Sequence, residues 1–185
     1  MTIAVVYYSG YGHTARIAES VAAGVGSSAT LIAIDNDGNI TDQQWQQLDE
    51  AEAIIFGAPT YMGNAPWQFK KFADHSSKVW FNRGWQDKIF AGFSNSASLN
   101  GDKQNTLQFL QTLASQHGGI WISLGLLPAN NLAATRQDIN NLGGSIGLLV
   151  QSPADASADQ IPSGDLDTAV KFGERVAKIT ARFNK

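Results

Sequence analysis

Cysteine is missing from this sequence of 185 residues, which excludes a disulfide framework, a thiolate metal site and a cysteine nucleophile. Charge is also scarce, since 16% of the residues are charged and the formal net charge is only −3 at pH 7. Binding to nucleic acid requires a basic surface, so we expect no nucleic-acid partner. No apolar run approaches the roughly 20 residues needed to cross a bilayer, so we expect no membrane span.

The N-terminus and the histidines narrow the class of protein further. The apolar run at residues 1–6 is about as long as a strand and follows no basic leader, which is typical of a first strand rather than of a signal peptide. We therefore expect a cytoplasmic location. The three histidines are widely separated and lack the spacing of metal ligands, so we predict no metal site.

The sequence does contain a regular alternation of short apolar runs and segments with helical periodicity. This pattern predicts βα units around a parallel sheet, and therefore an α/β fold. Strands are expected at 3–8, 30–34, 53–56, 88–93 and 119–124, the last resuming at 145–150 after an Asn- and Gly-rich stretch. Helices are expected at 13–25, 41–48, from 66 through 73, 102–116 and 165–183. No linker divides the chain, so residues 1–185 are predicted to form a single domain.

Ligands of an open parallel sheet bind beyond the carboxyl ends of its strands, so the loops that follow the strands are the candidate site. The first loop joins a strand directly to a helix and consists of Ser9, Gly10, Tyr11, Gly12, His13 and Thr14. Its glycines allow a ligand close to the main chain, and a helix N-terminus favours an anion. By itself this loop favours a phosphate site over the alternative of a tight turn with a threonine cap. It is not a P-loop, because the Gly-Lys-Ser/Thr ending is missing.

Two further loops follow the third and fourth predicted strands. The second loop, which offers aromatic and polarizable surface, consists of Pro59, Thr60, Tyr61, Met62, Gly63 and Asn64. The third loop offers backbone and amide groups suited to the edge of a heterocycle, and consists of Ser94, Asn95, Ser96, Ala97, Ser98, Leu99, Asn100 and Gly101. Taken singly, the second loop is equally consistent with an ordinary surface loop, and Ser-, Asn- and Gly-rich clusters like the third loop are usually only surface loops.

The first two loops together resemble a known family. A Ser-x-Tyr-Gly-His-x loop followed by Pro-Thr-x-x-Gly-Asn is similar to the flavodoxin-like NAD(P)H:quinone oxidoreductases known as WrbA. The resemblance covers essentially the whole chain in element order. It implies a flavodoxin-like doubly wound fold, with a five-stranded parallel sheet in the order 2-1-3-4-5 and helices on both faces. It also implies FMN as cofactor and NAD(P)H as co-substrate, with two-electron transfer through FMN to a quinone.

The same resemblance implies roles for individual residues. The first loop would hold the FMN phosphate, with Tyr11 also lining the pocket for nicotinamide and quinone. The second loop would contact the flavin ring through Thr60, Tyr61 and Met62, and residues 95–100 would meet its pyrimidine edge. Trp80 corresponds to an aromatic substrate-pocket residue that a neighbouring subunit supplies in the family, which implies a homo-oligomer (a dimer or tetramer). We also expect Trp85 to lie at the pocket or at an interface.

Three positions depart from the family pattern. The Arg-Phe pair of the second loop is Tyr61-Met62 here, and the usual third loop, Ser-Ser-Thr-Gly-Thr-Gly-Gly, is replaced by residues 94–100. A His-His-Gly stretch after the next helix is Gln116-His117-Gly118 here, so Gln116 would face the flavin and His117 would lie beside the substrate. These departures leave FMN binding better supported than quinone reduction.

Two alternatives therefore stay open on the sequence alone. One is a flavodoxin-type electron carrier, which binds FMN and passes electrons to a protein partner, although such carriers are typically strongly acidic. The other is a scaffold that has lost tight flavin binding. Because the flavin itself carries the chemistry, we expect no side chain to act as a catalytic acid or base.

Overall fold

One parallel sheet organises the computed structural model, which describes residues 1–183. Its strands are β1 (Ile3–Tyr8), β2 (Ala29–Ile34), β3 (Ala53–Pro59), β4 (Ile89–Ser96), β5 (Ile120–Trp121) and β6 (Leu148–Gln151). The strand order is β2-β1-β3-β4-β5, and β6 also pairs with β4. The order 2-1-3-4-5 that the family resemblance implied is confirmed.

Strands β3 and β4 each run three residues further than the sequence predicted. Ala58 pairs with Ser94 and Pro59 pairs with Asn95, so the small and polar residues that mark a turn in the sequence still belong to the ladder. Strand pairing outweighs the weak local preference of such residues. The second and third loops consequently begin inside the sheet, where both strand ends are held rigidly.

The fifth position of the sheet is filled by two short strands in succession. Strand β5 pairs with the start of β4 at Ile89 and Phe90, whereas β6 pairs with its end from Phe93 to Ser96. The segment 122–147 leaves the sheet between them, and its two ends are tied together where the Trp121 Nε1–H donates to the Ile146 carbonyl at 2.8 Å. The interrupted fifth strand is therefore confirmed, with a shorter first part than predicted.

Helices cover both faces of the sheet. They are α1 (His13–Val25), α2 (Asp42–Glu50), α3 (Trp67–His75), α4 (Ser77–Phe81), α5 (Lys103–Gln116) and α6 (Ser163–Phe183), with short 3₁₀ turns at Gly26–Ser28 and Ala158–Gln160. The apolar sides of α1 and α6 pack on one face of the sheet, and those of α2, α3 and α5 pack on the other. Helix α4 was not predicted. Among the described residues, no helix combines the length and the apolar character required to span a membrane.

Helices α1 and α6 approach each other closely because glycines lie at their crossing. A Cβ atom on Gly173 would be 2.1 Å from the Val21 carbonyl oxygen, and one on Gly24 would be 1.9 Å from the Val170 carbonyl oxygen. Both distances are far below van der Waals contact, so only glycine fits at these two positions. This close contact fixes α1, and with it the first loop, against the remainder of the fold.

Candidate functional site

A cavity of about 430 Å³ opens at the carboxyl edge of the sheet, a size within the roughly 300–1,000 Å³ usual for small-molecule sites. The three loops predicted from the sequence all contribute to its wall. Their lining residues are Tyr11, His13, Thr14, Pro59, Thr60, Tyr61, Asn95, Ser96 and Ala97. A fourth wall, formed by Ser152 and Ala154 after β6, was not predicted.

The first loop presents the N-terminus of α1 to this cavity. Gly12 precedes the helix in the left-handed region, with a φ angle of 89°, and has no side chain with which to cap it. Ser9 Oγ accepts the N–H of Ala15 at 3.1 Å, which leaves the N–H groups of His13 and Thr14 available. Such unpaired donors at the positive end of a helix form an anion site.

A chain of hydrogen bonds joins the first loop to the third loop and to the fourth wall. Thr14 Oγ1 donates to Asn95 Oδ1 at 2.7 Å, and Asn95 Nδ2 donates to Ser152 Oγ at 3.1 Å. His13 Nε2 lies 2.8 Å from the Ala156 carbonyl oxygen. This wall could have been found from the sequence only by its position after β6, because β6 ends at the same edge of the sheet as β1, β3 and β4.

The second loop is a tight hairpin above a buried polar floor. Thr60 Oγ1 lies 2.9 Å from Ser94 Oγ, and Ser94 is fully buried beneath the cavity. Tyr61 and Asn64 exchange backbone hydrogen bonds of 2.8 and 3.2 Å. Met62 and Gly63 form the tip, both in the left-handed region with φ angles of 48° and 85°, as a two-residue hairpin turn of this type requires. The Met62 side chain is fully exposed and does not line the cavity.

Two tyrosines form the aromatic wall of the cavity. The rings of Tyr11 and Tyr61 meet edge to face, with centroids 6.1 Å apart. Burial, together with the neighbouring Tyr8 and Tyr11, raises the pKa of Tyr61 to about 12. Tyr61 is therefore a neutral phenol at physiological pH, at the position where the family pattern has an arginine.

Trp80, Gln116 and His117 lie at the opposite edge of the sheet from the first loop. Helix α5 runs back from the carboxyl edge, and after its end the Gly118 carbonyl accepts the N–H of Asp87, just before β4 begins. All three residues line a separate cavity of about 540 Å³. Within one chain the structure does not bring them to the predicted cofactor loops, so their contact with a flavin stays a prediction that depends on a second copy.

Trp85 belongs to the core rather than to a pocket or an interface, so the prediction made for it is wrong. It is completely buried, and its Nε1–H donates to Asp49 Oδ1 at 2.7 Å. Its ring stacks near Trp45, at a centroid distance of 6.2 Å. The polar turn beside it in the sequence suggested exposure, whereas the indole folds inward beneath α2.

Metal binding has no structural support in residues 1–183, where no cluster of three or more His, Asp or Glu side chains could hold an ion. The cavity itself is lined by hydroxyl, amide and aromatic groups. Within the described chain, neither lysine nor arginine belongs to this lining. Neutral donors at a helix N-terminus suit a phosphate, and the two tyrosine rings suit a planar heterocycle.

Known proteins resemble this chain in fold and, over most of its length, in sequence. Residues 4–116, more than half of the chain, match the flavodoxin domain family. The chain belongs to the flavodoxin family. Flavodoxin FldP of Pseudomonas aeruginosa (strain UCBPP-PA14) is 63% identical over 175 residues, which cover 95% of this chain and 94% of that protein. Family membership implies FMN binding, for which the phosphate and ring surfaces just described are suited.

Two further relatives bear on the reaction. An NAD(P)H dehydrogenase (quinone) of Solidesulfovibrio magneticus is 31% identical over 206 aligned positions, covering 98% of each protein. The crystal structure of a flavodoxin, WrbA-like protein from Agrobacterium tumefaciens is 51% identical, covers 98% of both chains and has a TM-score of 0.81. The flavodoxin-like fold is thereby confirmed, and the relatives include both a protein named as a flavodoxin and proteins named as quinone dehydrogenases.

Proposed function

We propose that this flavodoxin-family chain binds FMN in the 430 Å³ cavity and acts as an electron carrier for a protein partner. The N–H groups of His13 and Thr14 hold the phosphate, and Tyr11 and Tyr61 flank the ring. Bound FMN supplies the electron-transfer chemistry. The residues of the chain bind it, orient it and exclude water from its inner edge.

The observation that carries this proposal is an exposed apolar rim around the cavity. Each of the three cofactor loops places one large apolar side chain in solvent: Tyr11 is 80% exposed, Met62 103% and Leu99 63%. Single exposed apolar residues are ordinary, but three from separate loops around one opening form a candidate docking surface. Tyrosine and methionine are enriched where proteins meet other proteins. A carrier needs such a surface, because it must dock onto its electron donor and acceptor.

Two comparisons support a carrier over an independent enzyme. The quinone dehydrogenase of Solidesulfovibrio magneticus aligns over 206 positions, more than the 185 residues of this chain, so that relative has segments with no counterpart here. Flavodoxin FldP aligns over 175 residues at twice the identity. In addition, no cationic side chain of the described residues lines the cavity to receive the phosphates of a nicotinamide dinucleotide.

The second candidate is FMN-dependent reduction of quinones by NAD(P)H. It is favoured by the 51% identity to the WrbA-like protein and by the full-length match to quinone dehydrogenases. This reaction needs space for nicotinamide and then quinone beside Tyr11. It also needs a homo-oligomer in which a second copy brings Trp80 to the opening.

A reconstituted electron-transfer assay separates the two functions. The purified chain is loaded with FMN and supplied with NADPH, alone or with an NADPH-dependent flavodoxin reductase, and flavin absorbance is followed. A carrier is reduced rapidly only when the reductase is present, and then passes electrons to cytochrome c. Rapid oxidation of NADPH or NADH by the chain alone, sustained by benzoquinone, would establish the enzyme instead. Failure to bind FMN would overturn both functions.

A further inference from the structure

Lys103, the first residue of α5, is buried beneath the third loop and only 1% exposed. Its ammonium group donates hydrogen bonds to the carbonyl oxygens of Ser98, Leu99 and Asn100 at 2.8, 2.9 and 3.1 Å. A fourth contact joins it to Ser96 Oγ at 3.0 Å. Three N–H bonds shared among four oxygens satisfy the ammonium fully, in the manner of a cation bound inside a loop.

The whole third loop has its carbonyl groups tied toward the protein. Besides the three held by Lys103, the Ser96 carbonyl accepts the N–H of Ser152 at 3.1 Å and the Ala97 carbonyl accepts Gln151 Nε2–H at 2.7 Å. Five consecutive carbonyls, from residue 96 to residue 100, are thus occupied. Within residues 1–183, no acceptor pairs with the N–H groups of residues 97–100.

This arrangement makes the third loop a row of hydrogen-bond donors. Successive peptide N–H groups without internal partners can donate to electron-rich ligand atoms. The pyrimidine edge of a flavin carries acceptors at its two carbonyl oxygens and at ring nitrogen N1, and one donor, the N3–H group between the carbonyls. Ser96 and Ala97 line the cavity, so the loop stands where its N–H groups can meet the acceptors of that edge, although it lacks the glycines of the family pattern.

We propose that Lys103 is the positioning residue of the third loop, and that its ammonium group couples proton binding to FMN binding. The inference rests on the proposed FMN site. Lys103 does not touch the cavity. It acts by holding the carbonyls of Ser98, Leu99 and Asn100 away from the ligand, so that their peptide N–H groups remain available to it.

The charge of Lys103 is sensitive to pH because of where it lies. Its pKa is lowered to about 8, chiefly by burial; Asp165 and Asp102 oppose this lowering and Arg136 adds to it. A neutral amine has only two N–H bonds and directs a lone pair toward the carbonyls, so the loop loses its anchor when the proton leaves. Because FMN binds better when the loop is anchored, bound FMN raises the pKa of Lys103. The affinity for FMN therefore falls as the pH rises above 8.

The test is a titration of FMN affinity against pH. The dissociation constant of FMN for the wild-type apoprotein is measured by quenching of flavin fluorescence from about pH 6.5 to about pH 9.5. We expect affinity to be constant at the acidic end and then to fall by up to about tenfold per pH unit, the slope of a single coupled proton. Lys103→Arg stays charged over this range, so its affinity for FMN should not fall in this way. The flavin's own titration is the same in both proteins and does not account for a difference between them.

Lys88 provides the matched control. It is also a lysine whose ammonium group is held by backbone carbonyls, those of Asp49 and Ala51, and burial lowers its pKa as well. It lies before β4, at the edge of the sheet away from the cavity. Lys88→Met should leave the pH profile of FMN affinity unchanged, whereas Lys103→Met should bind FMN at least about tenfold more weakly at pH 7.

The outcomes separate this inference from the proposed function. If wild-type protein binds FMN with an affinity that does not change across the range, or if Lys103→Met binds as tightly as wild type, the role of Lys103 is overturned while FMN binding stands. If the wild-type chain does not bind FMN at all, the proposed function fails and this inference fails with it. Should Lys103→Met not fold, the wild-type and Lys103→Arg profiles decide the question on their own.

Discussion

His117 packs against Trp85 with 4.5 Å between the two ring centroids. Its Nε2 atom lies 2.9 Å from Ser76 Oγ, while Nδ1 has no hydrogen-bond partner among the described residues. Burial lowers the pKa of His117 to about 4, so the imidazole is neutral in the folded protein. The pair lies at the edge of the sheet that is remote from the first, second and third loops, and the burial of the neutral ring makes the stability of the fold depend on pH.

Acid is predicted to destabilise the fold through His117. Between its unfolded pKa of 6.5 and its folded pKa of about 4, only the unfolded chain binds this proton. Stability is therefore complete above pH 6.5 and falls with decreasing pH by up to about 1.4 kcal/mol per unit. Urea unfolding at several pH values should show this slope in wild type and a shallower one in His117→Gln. The exposed His75 is the control, and His75→Gln should retain the wild-type slope.

The hairpin tip is predicted to carry backbone strain at Met62. Its φ angle of 48° is unfavourable for a residue with a Cβ atom, and its fully exposed side chain gains no compensating contacts. Met62→Gly should therefore raise the free energy of unfolding of the apoprotein, by about 1 kcal/mol. The neighbouring Gly63→Ala should lower it by a similar amount, because Gly63 has a φ angle of 85° and open space around it. Equal effects of the same sign would contradict this account.

Gly173 is predicted to be essential to the contact of α1 with α6. Alanine has the higher helix propensity, yet its Cβ atom would overlap the Val21 carbonyl oxygen. Gly173→Ala should destabilise the protein by about 2 kcal/mol or more, measured by thermal or urea unfolding. Lys178→Ala, on an exposed position of the same helix, should change stability by less than about 0.5 kcal/mol. If Gly173→Ala left the free energy of unfolding unchanged, helices α1 and α6 would have to move apart at little cost.

The electrostatic environment of Lys103 yields opposite predictions for two substitutions. Asp165 accepts a 2.5 Å hydrogen bond from Arg136 and favours the charged form of Lys103, whereas Arg136 disfavours it. Asp165→Asn should therefore move the pH at which FMN affinity falls to a lower value, and Arg136→Met should move it to a higher one. The same fluorescence titration measures both shifts. If both substitutions shifted the pH at which FMN affinity falls in the same direction, the cause would be a general loosening of the third loop instead.

Local patterns in the sequence predicted the alternation of strands and helices and three of the four walls of the cavity, whereas the strand order came from the family resemblance. Residues 3–8 are a continuous apolar run, buried except at the half-buried Tyr7, and the glycines of the first loop follow it closely. A covered parallel strand followed at once by a helix leaves little freedom in where the loop between them lies. The loops could therefore be placed at one edge without knowledge of their contacts.

The remaining features depend on contacts between distant parts of the chain. Ser152 reaches the cavity only because β6 returns to β4 after the long excursion of segment 122–147. Lys103 looks like an ordinary solvated lysine at the start of a helix, and only the folded third loop shows that it is buried. Trp85 shows the opposite case, because its polar sequence neighbours suggested exposure although the residue lies in the core. In each case tertiary packing decided what local composition could not.

Because β5 and β6 attach to β4 separately, the chain consists of two parts joined by the surface segment 122–147, here called the strap. Leu127 and Leu132 in that strap are 90% and 109% exposed, which marks a tolerant place for a cut. Division near residue 131 leaves β1 through β5 in one fragment, and β6, Ser152 and α6 in the other. Because the cavity draws walls from both, FMN would act as the bridge that reunites them, and flavin fluorescence would report the reassembly of the fragments.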